Sequence, residues 1–171
     1  QVLKVEPTGK LVAVAPGNAT VTVTYRTAAG NSMQQTLQVT VVSPFVLTED
    51  VFDPSIWEEG TFAETTRTLV TGKYGFGGWK SPGGLDLSGY RRLTVELGND
   101  NECGVSFRLF DKNDYWTKPA TYDFGQTRRV VGDLQQMKDT DGNRVDPSHL
   151  YFVGFWSTGG KPIVISSMKL E

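Results

Sequence analysis

Apolar and polar residues alternate with a period of two along much of the chain, a pattern that predicts β-strands rather than helices. Within residues 19–26, Val21, Val23 and Tyr25 fall on one side and threonines fall on the other. Residues 35–42 alternate in the same way. Both segments are therefore expected to be half-buried antiparallel strands joined by a hairpin.

The remaining sequence consists of short apolar-rich runs separated by Gly, Asn, Asp and Pro, which are typical turn residues. Helical periodicity is weak throughout, with at most one turn expected at 133–138. The chain is therefore predicted to be all-β. Besides the two segments above, strands are expected at 11–14, 66–72, 90–97, 104–110, 126–134, 151–156 and 163–170.

Composition divides the chain near residue 44. Of the nine Phe, four Trp and six Tyr, only Tyr25 precedes residue 45. The first part is rich in Val and Thr, whereas the second is rich in aromatic residues, Gly and Asp. Two domains, 1–44 and 45–171, are expected on this basis, with Ser43-Pro44 as the joint, since proline cannot continue a sheet ladder.

Charge and cysteine content exclude several classes of function. The net charge of −2 argues against a surface for nucleic acid or anionic membrane, which needs a basic excess. One cysteine excludes an internal disulfide framework, and one histidine excludes a centre built from several histidines. No apolar run is long enough to span a bilayer. The chain starts with Gln1 and shows no secretory apolar region, so we expect a processed product or a piece of a longer protein.

The first domain is similar to a bacterial Ig-like domain of group 2. The resemblance rests on a Gly-Lys turn at 9–10, the strand at 11–14, the turn Ala15-Pro16-Gly17 and the Ala-Thr-Val strand that begins at Ala19. It covers only the C-terminal half of such a domain. Half of a sandwich leaves an open edge and an uncovered apolar face. We therefore expect either more sequence upstream in the parent protein or packing against the second domain.

The second domain resembles the galactose-binding-like jelly rolls that many carbohydrate-binding modules use. The residues that carry this resemblance are Trp79, the turn at 86–90, the strand at 93–97 and the segments 105–111 and 153–160. Strand spacing also fits a two-sheet jelly-roll sandwich. Together, the two resemblances imply the non-catalytic part of a secreted Bacteroidetes polysaccharide-degrading enzyme, an endoglucanase in particular.

A glycan site needs exposed aromatic faces beside a few polar groups, because sugar rings present flat C–H patches bordered by hydroxyls. Each ring contact contributes on the order of 1 kcal/mol, from about 50 Å² of apolar area, so several rings are needed. We expect a concave polar face with Arg108 and Glu96, each on the side of its strand away from the apolar residues. The predicted ligand-binding residues are Trp79, Trp116, Trp156, Tyr115, Tyr74, Arg108 and Glu96.

Several of these residues also have a structural interpretation. Trp116 would otherwise pack over the end of the sandwich, Trp79 would fill its core, and Tyr74 would form a cross-strand structural pair. Arg108 and Glu96 would otherwise form a structural ion pair of small energy. Trp57, in a polar segment of its own, is expected to cover the sandwich edge rather than to bind a ligand.

Two further kinds of chemistry receive little support from the sequence. The Asp139-Thr140-Asp141-Gly142-Asn143 segment lacks the spacing of an EF-hand calcium loop and is expected to be a hairpin turn. A structural calcium near Glu49, Asp50 and Asp53 is implied only by the jelly-roll resemblance. No credible acid and base pair or Ser-His-Asp arrangement is present, so no catalytic residue, metal ligand or cofactor is assigned.

The sequence thus leads to one main hypothesis and one alternative. The main hypothesis is non-catalytic binding of a plant cell-wall polysaccharide of the β-glucan type, by an ancillary module of a secreted or cell-surface glycoside hydrolase. The alternative is a structural module that packs against a catalytic domain or another protein and has no affinity for glycans.

Overall fold

The structure is a computed structural model, and it describes residues 1–14, 17–41, 45, 47, 52–53, 60–100, 104–114, 116–158 and 160–171. The chain divides into two compact units, Gln1–Pro44 and Phe45–Glu171. This division falls where the aromatic content of the sequence rises.

The first unit is built from two separate hairpins. Strands β1 (Leu3–Val5) and β2 (Leu11–Ala13) pair with each other, and so do β3 (Gly17–Arg26) and β4 (Ser32–Val41), which run antiparallel over their whole lengths. Alternation places the threonines of β3 on one face and its apolar residues on the other. This apolar face is open, and its most exposed members are Val23 at 60%, Tyr25 at 64%, Met33 at 67% and Leu37 at 53%.

The second unit is an antiparallel β-sandwich. Its strands are β5 (Thr61–Ala63), β6 (Thr68–Val70), β7 (Phe76–Leu85), β8 (Arg92–Leu97), β9 (Val105–Phe110), β10 (Ala120–Asp123), β11 (Arg129–Asp133), β12 (Leu150–Ser157) and β13 (Ile163–Leu170). The four-stranded sheet has the order β10-β9-β12-β7, and the five-stranded sheet has the order β11-β8-β13-β6-β5. A single turn of 3-10 helix follows β11 at Leu134–Gln136.

A single apolar core joins the two sheets. On β9, Phe107 and Leu109 are fully buried, and on β8 Val95 is fully buried as well. These side chains belong to one cluster, so the inward faces of both sheets meet there. Strand alternation then directs the intervening residues of each sheet outward, toward opposite sides of the sandwich.

The all-β prediction is confirmed. The strands expected at 66–72, 90–97, 104–110, 126–134, 151–156 and 163–170 correspond to β6, β8, β9, β11, β12 and β13, and the single helical turn is present. Strand-period reasoning alone did not mark β5, β7 or β10, because two of these are short and β7 contains four glycines. The Ig-like and jelly-roll identities of the two units stay predictions.

A second, smaller apolar cluster lies on the outer face of the four-stranded sheet. It consists of Phe76 on β7, Phe110 on β9 and Phe152 on β12, which are at most 2% exposed. The rings of Phe76 and Phe110 meet edge to face, with centroids 5.5 Å apart, on either side of Gly154. A Cβ at Gly154 would lie 2.7 Å from Cζ of Phe76 and would clash with the backbone carbonyl of Gly77. The missing side chain therefore makes room for the aromatic ring.

Tyr122 covers the edge of the sandwich where β10 approaches β11. Its ring lies against Gly132, where a Cβ would be 2.6 Å from the ring carbons. Burial, and secondarily the negative charge of Asp133, raises the pKa of Tyr122 to about 12. The neutral phenol is therefore favoured in the folded protein more strongly than in the unfolded chain.

Substitution of Gly154 by alanine should destabilise the second unit. The added methyl group would collide with the sheet backbone and with a buried ring, and such overpacking costs about 1–3 kcal/mol. Chemical denaturation followed by tryptophan fluorescence would measure the change. Gly83→Ala is the matched control, because Gly83 also lies in β7 and a Cβ there meets nothing within 4 Å. Equal stability of the two variants would contradict this packing account.

The stability of the protein should fall as the pH rises from about 10 to about 12, in part because of Tyr122. Because the pKa of Tyr122 is higher in the folded protein than in the unfolded chain, the neutral phenol stabilises the fold. This contribution is fully present below the unfolded-state pKa and is lost as the pH rises through the folded-state pKa. Relative to Tyr122→Phe, the wild type should lose on the order of 2 kcal/mol of unfolding free energy over this range. Parallel pH profiles for the two proteins would show that the phenol is not buried as described.

Candidate binding surface

Trp79 lies in the main core, so the expectation that it displays its ring to a ligand is wrong. It is 4% exposed and packs edge-on against Phe52 and Phe62, with centroids 5.6 and 5.0 Å away. The reason is strand register: Trp79 is paired with Val153, which also faces the core. The glycines that precede Trp79 hid this alternation in the sequence.

Trp156 and Arg108 form the centre of a polar and aromatic surface on the outer face of the four-stranded sheet. Cζ of Arg108 lies 4.8 Å from the ring centroid of Trp156, so the guanidinium stacks on the indole. Nε of Arg108 donates a hydrogen bond to Oγ of Ser106 at 3.1 Å. Ser106 is 1% exposed although it points away from the main core, consistent with the guanidinium lying over it.

The indole of Trp156 is held from the other side by the turn before β7. Its Nε1 donates to the carbonyl oxygen of Tyr74 at 3.2 Å. The backbone of Gly75 is so close that a Cβ there would lie 2.7 Å from the same nitrogen. Tyr74 itself is 53% exposed, and Nζ of Lys73 lies 5.5 Å from its ring centroid. The structure therefore brings Tyr74, Trp156 and Arg108 together, three of the residues named from the sequence.

The outer-face residues form a row across all four strands. Asp123 is the register partner of Ser106, Ser106 of Trp156, and Trp156 of Phe76. At about 4.8 Å between neighbouring strands, the row spans about 14 Å from β10 to β7. Arg108 lies over Ser106 in this row, and Tyr74 lies in the turn before β7, beside Trp156. We call the surface made by Tyr74, Trp156, Arg108 and Asp123 along this row the outer strip.

Burial and charge act on Arg108 in opposite directions. Its half-buried position lowers the pKa of the guanidinium, and the negative charge of Asp123 partly offsets this effect. The two side chains do not form a direct ion pair. Arg108 remains charged at neutral pH, because an arginine pKa lies far above that range.

Glu96 does not share a face with Arg108, so the expected concave face holding both residues is not formed. Glu96 lies on β8 and points outward from the five-stranded sheet, on the opposite side of the sandwich. There, Oε2 accepts a hydrogen bond from Oγ of Ser167 at 3.1 Å, and Oε1 lies 3.4 Å from Nε of Arg129. These contacts give Glu96 a local structural role on that sheet.

Trp116 is the most exposed large apolar residue that the structure describes, at 77%. Its backbone N–H donates to Oδ1 of Asp114 at 3.0 Å, and Thr117 donates its hydroxyl to the carbonyl oxygen of the same aspartate. Lys118 then forms an ion pair with Asp141 at 2.6 Å. These contacts order the loop around the exposed indole. Tyr115 and Trp57, also named above, lie outside the described residues.

The Trp116 loop and the outer strip lie at different ends of the four-stranded sheet. Trp156 is in register with Ser106, near the start of β9, whereas the loop begins after Phe110, at the end of β9. The buried Phe76, Phe110 and Phe152 cluster occupies the outer face between them. The three tryptophans therefore do not line one continuous groove.

The segments considered as metal sites in the sequence form a local turn or lie mostly outside the described residues. The carboxylate of Asp139 accepts from the backbone N–H groups of Asp141 and Asn143, which confirms the predicted turn. Among the described residues, no group of three or more His, Cys, Asp or Glu is placed to hold a metal ion. Glu49 and Asp50, two of the residues named for calcium, fall outside those residues. No helix in the described part of the chain has the length and apolar character needed to cross a bilayer.

Asp123 is the member of the outer strip that sequence reasoning missed. It lies at the end of β10, a strand of four residues that no alternating pattern marked in advance. The sequence did carry one signal: polar Thr121 and Asp123 flank Tyr122. This is a short alternation in which Tyr122 faces inward and the two polar residues face outward.

No model of a known protein family matches the chain, and neither a curated protein nor a solved structure matches it. The resemblances to a bacterial Ig-like domain and to a carbohydrate-binding jelly roll therefore stay predictions from the sequence motifs.

The burial order of the tryptophans predicts how a soluble quencher affects their fluorescence. With acrylamide as the quencher, Trp116→Phe should remove a readily quenched component, whereas Trp79→Phe should remove a protected one and leave the readily quenched component in place. Collisional quenching requires contact with the indole, and the two rings are 77% and 4% exposed. Loss of the quenchable component in the Trp79 variant instead would contradict the placement of both residues.

Proposed function

We propose that the second unit is a non-catalytic glycan-binding module and that the outer strip is its binding surface. The observation that carries the proposal is the Arg108 guanidinium stacked on Trp156 beside an exposed Tyr74. In this arrangement, the exposed ring of Tyr74 supplies apolar surface and the guanidinium held on Trp156 supplies fixed hydrogen-bond donors. A sugar ring needs both, because it has an apolar face and a rim of hydroxyls.

The donors of Arg108 support this assignment. Nε is occupied by Ser106, and the terminal guanidinium nitrogens make no hydrogen bond or ion pair with any described residue. A planar guanidinium presents its N–H groups as a fork that matches two neighbouring acceptor oxygens. Since the stack on Trp156 fixes the plane of this fork, little side-chain freedom is lost when a ligand binds.

The strip extends over about 14 Å, long enough to contact more than one sugar ring of a polymer. Each contact contributes on the order of 1 kcal/mol, so the expected affinity is modest. A module of this kind acts by holding an attached hydrolase near its polymer, which raises the effective concentration and leaves the chemical step unchanged. We propose a β-glucan-type plant polysaccharide as the ligand, a glycoside hydrolase as the covalently linked partner, and a secreted or cell-surface location.

The alternative function is that of an interaction module without glycan affinity. Two observations favour it: the 77% exposed Trp116 and the open apolar face of β3 and β4. Exposed aromatic and apolar side chains of this kind are typical of protein interfaces. In this alternative, the exposed indole anchors a protein partner, and the outer strip contributes nothing to binding.

Affinity electrophoresis in gels containing soluble neutral β-glucan separates the two functions. The wild-type chain should be retarded, and Arg108→Ala should weaken binding by about tenfold, corresponding to about 1.4 kcal/mol for the lost fork and ring contact. Arg108→Lys should also weaken binding, because it keeps the charge but loses the planar fork.

Trp116→Ala is the matched control, since it removes an exposed indole outside the strip. Its retardation should equal that of the wild type. If Trp116→Ala abolishes retardation and Arg108→Ala does not, the glycan site lies on the loop rather than on the strip. An unretarded wild type across β-glucan, xylan and mannan gels would exclude the glycan function and favour the interaction module.

A further inference from the structure

Asp123 stands next to the donor fork of Arg108 and gives the outer strip an acceptor as well. Asp123 lies on β10 and Arg108 on the neighbouring strand β9. Asp123 is the register partner of Ser106, and Arg108 is the partner of Thr121, so Asp123 and Arg108 are diagonal neighbours. Such diagonal neighbours are about 7–8 Å apart at their Cβ atoms, within reach of long side chains. Nε of Arg108 is bonded to Ser106, the register partner of Asp123, and the negative charge of Asp123 acts on the guanidinium and raises its pKa.

The carboxylate of Asp123 is available to a ligand. Asp123 is exposed, and its side chain makes no hydrogen bond or ion pair with any residue that the structure describes. The other acids near this sheet are engaged: Asp111 accepts from the backbone of Asp146, and Asp141 is paired with Lys118. The strip therefore carries a fixed donor and, on the neighbouring strand, an unengaged acceptor.

We propose that Asp123 makes the outer strip selective for uncharged sugars over uronic acids. This inference rests on the proposed glycan-binding function and adds a specificity-determining residue to it. A neutral sugar offers hydroxyls, which can accept from Arg108 and donate to Asp123 at the same time. A uronate carboxylate can only accept, so it gains the guanidinium contact but meets the like charge of Asp123.

The local charge supports the same conclusion. Arg108 contributes one positive charge and Asp123 one negative charge, so these two charges balance at the centre of the strip. Lys73 adds a positive charge only at the Tyr74 end, with Nζ 5.5 Å from that ring centroid. Lys80 lies farther along the sheet, with Nζ 5.5 Å from the ring centroid of Phe152, in register with Phe152 rather than with Trp156. A site built for acidic sugars would need a net positive charge at its centre.

Isothermal titration calorimetry with two oligosaccharides of equal length, a β-1,4-glucan and an oligogalacturonate, tests the proposal. The wild-type chain should bind the glucan more tightly. Asp123→Asn should weaken glucan binding by about fivefold, since a charge-assisted hydrogen bond becomes a neutral one. It should strengthen oligogalacturonate binding by about fivefold, because one like-charge contact is removed.

Glu171→Gln is the control, because it removes the same charge from the other sheet, where Glu171 is paired with Arg92. Its selectivity should equal that of the wild type. A wild type that prefers the oligogalacturonate, or an Asp123→Asn variant with unchanged selectivity, would overturn this inference while leaving glycan binding intact. Failure of the wild type to bind either oligosaccharide would overturn the proposed function, and this inference with it.

Discussion

Each strand of the second unit has two sides, and one of them must fill the core between the sheets. This constraint decides which residues can meet a ligand. It buries Trp79, which is in register with Val153, and turns Trp156 outward, because Phe155 takes the inner side. It also sends Arg108 and Glu96 to opposite surfaces, since they alternate with core residues on different sheets.

Gly154 determines where a second apolar cluster forms on the outer face of the four-stranded sheet. Because Gly154 has no side chain, Phe76 and Phe110 meet across it, and together with Phe152 they form a second buried cluster. Beside this cluster, Trp156, Arg108 and Asp123 form the aromatic and polar surface of that face. Arg108 covers Ser106 and stacks on Trp156, so packing of the sheet and organisation of the strip depend on the same register.

The sequence predicted the all-β class, six strands of the second unit and the outward direction of Arg108, because alternation on β9 is regular. It did not predict the direction of Trp79, since Gly77 and Gly78 carry no side chains that could reveal which side faces the core. It wrongly joined Glu96 to Arg108, because alternation gives the side of a strand and not the sheet to which that strand belongs. It missed Asp123, because β10 is only four residues long. The apolar face of β3 and β4 is open, and its origin in half of an Ig-like sandwich stays a prediction.

The most direct test of the account follows the indole N–H signals by NMR while a neutral β-1,4-glucan oligosaccharide is added, with each signal assigned from its Trp→Phe variant. The Trp156 signal should shift in a saturable way, because this indole lies under the Arg108 fork and is held by the Tyr74 carbonyl. The Trp79 and Trp116 signals should stay in place, one because its ring is buried and the other because it lies away from the strip. A saturable shift confined to Trp116, or no shift at all, would contradict the assignment of the outer strip as a glycan-binding surface.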